Sequence, residues 1–254
     1  MNRKIKNLIY ILLITVFAVS FFKLKDLPDK SKILNSLYQE PIQASSTSLN
    51  NFSFDYLDTN YNVKPIADYD LWGLVVSVNN IKAWYNMYHD KTSVNLKDIC
   101  VIWGDNLRND IYKEVNYKSG EWTCYASWGA SASGKFDMHQ LSNNHLFSDD
   151  ENVRDVIKDM RIGDQIYLQG TLSEYAKNGQ TNYRGTSLSR DDSGNGACET
   201  IYVQKAEILD SSNTNWYLIN KISKLLFILL LLLQFIIFVI NSIKTNLELK
   251  RFQN

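Results

Sequence analysis

The stretch Arg190–Val203 reads RDDSGNGACETIYV and gathers three carboxylates, two glycines and a thiol into a few positions. Three chemistries use such residues. The first is nucleophilic catalysis, with Cys198 as nucleophile, His145 as base and Asp191 as third member of a thiol- or metal-dependent hydrolase. A nucleophile needs its base within hydrogen-bond reach, and sequence spacing does not show that Cys198 and His145 meet. A small buried or bridged cysteine is the ordinary occupant of a strand start, so catalysis stands as the alternative reading. The second chemistry is calcium binding. Asp191, Ser193 and Asn195 would take positions 1, 3 and 5 of a loop, with Gly196 at 6. The closing glutamate at position 12 is instead Tyr202, which favours a tight Gly-Asn-Gly turn and no metal site. The third is disulfide formation. Cys100, Cys124 and Cys198 lack CxxC spacing, which argues against structural zinc. In an exported domain two of the three would be bridged, with Cys124 and Cys198 the first choice.

A binding site is the other use for polar and aromatic side chains here. Asn143, Arg190 and Trp103 are the candidate binding residues. In LSNNHLFSDD, Asn143 and Asn144 suit a turn, and His145 would tie that turn to a sheet. The aromatic residues Trp72, Trp84, Tyr85, Tyr88, Trp103, Trp122 and Trp128 suit a sugar or peptide, although core packing accounts for most such rings. No cofactor is implied.

These residues must be held by a β-rich frame. LWGLVVSV (71–78), DICVIWG (98–104), EWTCYASW (121–128), QIYLQGTL (165–172) and TIYVQKAEIL (200–209) are short apolar or alternating runs, the pattern of strands. FSFDY (52–56) alternates in the same way. Asn178-Gly179 predicts a hairpin whose second arm is YRGTSL. SDDENVRDVIKDMRIG predicts one helix. Ser148 and Glu151 form a capping box, Val153, Val156, Ile157 and Met160 form an apolar stripe, and Gly163 is placed to end it. The expected fold is mainly β (α+β): a small OB-like barrel, or alternatively a sandwich, with one packed helix and short, mostly antiparallel strands.

Two apolar segments stand apart. Leu8–Phe22 follows Arg3, Lys4 and Lys6 and reads as a first transmembrane helix, with a cleaved signal peptide as the alternative. Leu225–Ile243 is interrupted only by Gln234, Asn241 and Ser242, and reads as a second span. Gln234 is read as tolerated within that span. Between them, residues 23–64 read as a tether, 65–211 as the folded domain and 212–224 as a juxtamembrane segment, with short tails at 1–7 and 244–254. The 27 basic and 27 acidic residues cancel, which argues against a nucleic-acid partner. The short basic tail before the first span predicts both termini inside and residues 23–224 outside.

PIADYDLWGLVVS, CVIWG, Asn143–Leu146, GDQIYLQGTL and SLSRDDSGNGACETIYV together resemble a set of uncharacterised bacterial membrane-anchored proteins with a β-rich domain. The resemblance spans roughly Ile66 to Glu207, and it implies membrane anchoring without implying an activity. The expectation is a two-pass protein of the bacterial inner membrane whose extracytoplasmic domain binds or assembles a protein or envelope partner. The alternatives are the hydrolase above and a subunit of a larger membrane complex.

Overall fold

The structure is a computed structural model, and it describes residues 3–45, 50–83, 92–192 and 198–252. The chain forms two compact units, one of Met1–Asp26 with Asn213–Asn254 and one of Leu27–Ser212.

The first unit is a pair of helices, α1 (Arg3–Lys23) and α3 (Thr214–Phe252). Both are long and apolar enough to cross a membrane, and their leucines, isoleucines and phenylalanines are largely exposed. Such surface is unfavourable in water and favourable against hydrocarbon. Polar clasps join the pair. Gln234 Nε2 donates to Tyr10 Oη, Tyr10 Oη donates to the Leu230 carbonyl at 3.4 Å, and Asn220 Nδ2 donates to Ser20 Oγ at 3.0 Å. Gln234, expected as a tolerated interruption, is therefore a helix–helix contact. The helix α3 also takes in most of the segments read as juxtamembrane and as the final tail.

The second unit is a sheet with one helix. Its strands are β1 (Ile42–Ser45), β2 (Phe52–Tyr56), β3 (Thr59–Asn80), β4 (Lys97–Ile102), β5 (Val115–Ser119), β6 (Cys124–Trp128), β7 (Leu141–Phe147), β8 (Asp164–Lys177) and β9 (Glu199–Ser211), with α2 (Glu151–Asp159) between β7 and β8. β5 and β6 form a separate hairpin. The pairings of the main sheet run β3–β4–β7–β9–β8 and return to β3 along a second ladder. The ring is antiparallel throughout except for β7 beside β9. A ring in which every strand has two neighbours leaves no bare hydrogen-bonding edge.

Three strands are much longer than expected, β3 above all. Its pairing with β8 shifts register between Pro65 and Ala67, which is where a strand tolerates a proline. Gly73 and Gly170 permit close packing. A Cβ at Gly73 would stand 2.2 Å from Val101 Cγ1, and one at Gly170 would stand 2.0 Å from the Tyr202 carbonyl oxygen. From Leu27 onward, the segment read as a tether belongs to this unit. Leu37 is fully buried, β1 and β2 pair with β3, and Tyr112 Oη donates to the Pro28 carbonyl at 2.6 Å. The expected Asn178-Gly179 hairpin reduces to a single bridge, Tyr175 to Arg184.

The helix α2 packs as its stripe requires. Val153, Ile157 and Met160 join Leu71, Val75, Ile99, Val101, Ile166, Leu168, Ile201 and Val203 in one core. Its cap differs from the expected box. Asp150 is the N-cap, accepting from the Asn152 and Val153 amides at 2.7 and 3.2 Å, while Ser148 Oγ accepts from the Asp150 amide at 3.2 Å. A carboxylate there meets two orphan amides and the positive end of the helix dipole at once. The helix ends at Met160, before Gly163. The buried Lys97 Nζ donates to the carbonyls of Lys158 and Met160 and so satisfies that end.

Candidate functional site

The register of β4 on β7 sets Asp98 opposite His145 and Cys100 opposite Asn143. Strand periodicity sends residues 98, 100 and 102 to one face and 99 and 101 to the other. Ile99 and Val101 lie in the core beneath α2, whereas Cys100 and Ile102 lie in a second cluster with Leu74, Tyr112 and Val115. Asp98, Asn143 and His145 therefore stand on the sheet face turned from α2. β9 runs parallel to β7 with Glu199 opposite Asn144, and this brings Cys198, the residue before β9, beside Asn143.

The contacts are continuous. The His145 Nδ1–H donates to Asp98 Oδ1 at 2.5 Å, with both side chains buried. The Nε2 is then left facing Asn143 Nδ2 at 3.3 Å, and the Cys198 thiol donates to the Trp122 carbonyl at 3.5 Å. Asn143 Nδ2 donates to Cys198 Sγ at 3.3 Å. Burial alone would push the Cys198 thiol up, but the neighbouring His145 and Asn143 side chains outweigh it and hold the thiol below its ordinary range. Burial alone would push His145 down, but its hydrogen bond to Asp98 and the neighbouring Cys198 outweigh that and raise it. Both shifts favour a thiolate–imidazolium pair, the reactive form of a cysteine nucleophile.

Cys198 opens onto a pocket of about 380 Å³ whose walls include Asn143, Met138, His139, Arg190, Asp191, Asp192, Glu199 and Cys124. Arg190 is committed within that wall. Its Nη1 donates to Glu199 Oε1, its Nη2 donates to Tyr69 Oη at 2.6 Å, and its guanidinium lies 5.3 Å from the Trp103 ring centroid. Trp103 is fully buried and donates from Nε1 to Glu40 Oε2 at 2.6 Å. Of the candidate binding residues, Asn143 and Arg190 thus line the pocket, and Trp103 supports Arg190 from below.

The structure brings Cys198 and His145 onto the same asparagine, Asn143, and replaces the expected third member. Asp191 lies 3.2 Å from His139 Nδ1, and Asp98 takes the place beside His145. The expected Cys124–Cys198 bridge is also corrected. Cys124 is bonded to Cys100, with Cα atoms 5.9 Å apart, and Cys198 is a free thiol. Cys100 faces outward from β4 beneath β6, a partnership that strand periodicity alone does not reveal. Asn143 and Asn144 lie in the strand β7 and not in a turn. Ser193, Asn195 and Gly196 of the calcium-like loop, and Trp84, Tyr85 and Tyr88 of the aromatic set, lie outside the described residues. Among the described residues no cluster of three metal-ligating side chains occurs. Trp72 stacks on Tyr167 at 4.5 Å, while Trp122 and Trp128 are exposed. The residues that sequence reasoning missed are Asp98 and Glu199. The available signal was a carboxylate on an otherwise apolar run, at a position that cannot be solvated if the strand is central.

Comparison of the chain with models of protein families, with curated proteins and with solved structures finds no match.

Proposed function

We propose that the chain is a membrane-anchored thiol hydrolase in which Cys198 is the nucleophile and His145 its base. Asp98 is a positioning residue that fixes the His145 tautomer and favours its charged form. The observation that carries the reading is the run of contacts from Asp98 through His145 and Asn143 to Cys198 at the edge of a pocket. In the first half-reaction the Cys198 sulfur bonds to an acyl carbon, the bond to the leaving group breaks, and the leaving group takes the proton that His145 received from the thiol. Water then cleaves the thioester with His145 as base, and the thiol is restored. The apolar helices α1 and α3 support a two-pass anchor in a bacterial inner membrane. The Cys100–Cys124 bridge supports an extracytoplasmic domain, since disulfides persist in oxidising compartments. The closed strand pairing, with α2 between its third and fourth strands, supports an OB-like barrel.

The test uses the purified full chain in detergent. Alkylation of Cys198 by iodoacetamide, followed by intact mass against pH, should give a midpoint below the roughly 8.5 of a free cysteine. p-Nitrophenyl acetate should transfer one acetyl group to Cys198. A midpoint above that of free cysteine, or equal acetylation of Cys198→Ala, would overturn the reading.

A second reading, a binding or assembly module or a subunit of a larger complex, draws on a different observation. Trp122, Tyr125 and Trp128 are exposed on and beside β6, and aromatic residues of this kind anchor protein interfaces. Crosslinking in native membranes supports this reading if adducts form at Tyr125 and are lost in Tyr125→Ser. The absence of any adduct there counts against it.

A further inference from the structure

The pocket beside Cys198 offers acceptors in excess of donors. Asn143 Oδ1 and Glu199 Oε2 have no hydrogen-bond partner among the described residues. Their residues are only 5% and 2% exposed, and both line this pocket. A buried acceptor left unpaired is destabilising, so it is retained where something else supplies the donor. The carboxylates of Asp191 and Asp192 stand on the same wall. The cation of that wall, Arg190, is already engaged by Glu199 and Tyr69. His139 is engaged as well, with the Arg190 carbonyl at 2.8 Å and Asp191 at 3.2 Å. Among the described residues, what remains unmet is a demand for N–H donors and positive charge.

Resting on Cys198 as the nucleophile, we propose that the substrate is an amino-acid or short-peptide amide carrying a free ammonium group. Asn143 Oδ1 and Glu199 Oε2 receive its N–H donors, and the carboxylates of Glu199, Asp191 and Asp192 balance its charge. Burial pushes the Glu199 carboxyl up to about 7, and an adjacent ammonium would restore its ionised form. A volume of about 380 Å³ lies at the lower end of ligand pockets, which suits a single amino-acid unit better than a long chain. The chemistry is acyl transfer from nitrogen. The Cys198 sulfur adds to the amide carbon, the C–N bond breaks, and the departing amine takes its proton from the His145 imidazolium. Water then releases the carboxylic acid and returns the thiol.

The experiment reads charge selectivity at Cys198 in the full chain, using methanethiosulfonates with ethylammonium, ethyltrimethylammonium and ethylsulfonate heads. Each rate is divided by the same reagent's rate with N-acetylcysteine amide. The expected order is ammonium, then trimethylammonium, then sulfonate, with roughly tenfold or more between first and last, a ratio worth about 1.4 kcal/mol. Glu199→Gln should erase the advantage of ammonium over trimethylammonium. Because Glu199 also holds Arg190, the exposed Asp191→Asn provides an independent check, and it should narrow the gap between cation and anion in a folded protein. Equal normalised rates, or a faster sulfonate, would overturn the proposal. Neutral iodoacetamide separates the two levels. If Cys198 keeps its low alkylation midpoint while the three heads react alike, the substrate assignment falls alone. If the low midpoint is also lost, the nucleophile falls with it.

Discussion

Successive residues of β4 and β7 serve two different interiors. On the side of α2, Ile99, Val101 and Leu146 meet Val153, Ile157, Leu168 and Val203 in an apolar core. On the other side, Asp98, Asn143 and His145 are equally sheltered but meet one another and Cys198 through polar contacts. The first side draws its stability from buried area, which is non-directional and tolerant of small shifts. The second depends on hydrogen-bond geometry, because a buried polar group that loses its partner is penalised rather than merely unrewarded. The same backbone thus carries a face that holds the domain together and a face that gathers a thiol, an imidazole and a carboxylate through polar contacts.

That division can be broken or sharpened by experiment. The largest effect belongs to the apolar face. Leu168→Ala should lower stability by about 2–5 kcal/mol in chemical denaturation, the cost of a cavity in a packed core. The alkylation midpoint of Cys198 should stay where it is; movement of that midpoint would show that the faces are coupled. Next comes Lys97, on the same face as Ile99 and Val101, with its ammonium at the end of α2. Burial pushes its ammonium down to about 8, against about 10.4 in an unfolded chain. Between those values the unfolded state binds the extra proton, so stability should rise with pH through this window, by on the order of 3 kcal/mol at most. The rise should be absent in Lys97→Met, and an identical profile in both proteins would contradict the assignment. The smallest effect is on the polar face. Asp98→Asn keeps the size of the side chain but removes the charge that favours the imidazolium. The Cys198 midpoint should climb toward roughly 8.5, with alkylation at pH 7 slowed about tenfold, equivalent to about 1.4 kcal/mol. An unchanged midpoint would remove Asp98 from the site.

How far the sequence was readable follows the same division. The stripe of α2 and the runs around Leu71, Ile99, Ile166 and Ile201 are visible because apolar burial writes itself as periodicity. LSNNHLF gave no such pattern. Its inward residues on both faces include asparagine, serine and histidine, so a central strand read as a turn. Their burial is tolerable only because β4 and β9 supply partners from 47 and 55 residues away, for Asp98 to His145 and Asn143 to Cys198. Non-local satisfaction leaves no mark in a window of ten residues. Pro65 misled in a simpler way: it read as the boundary of a tether, but in the structure it sits at a bulge within β3. Cys198 and His145 were named as a pair from residue type alone, whereas Asp98 needed the register of β4 on β7 to be recognised.

The parallel pairing of β7 with β9 also sets an order of events. β9 is the last strand of the sheet along the chain, and it closes the ring against both β7 and β8. Asp98 and His145 can pair as soon as β4 and β7 meet, but Cys198 reaches them only when β9 docks. Contacts of such long sequence separation form slowly, because loop-closure entropy must be overcome first. A chain still folding therefore has Cys198 apart from Asn143 and His145 while its apolar surfaces are exposed, and the polar cluster comes into being with the closed sheet.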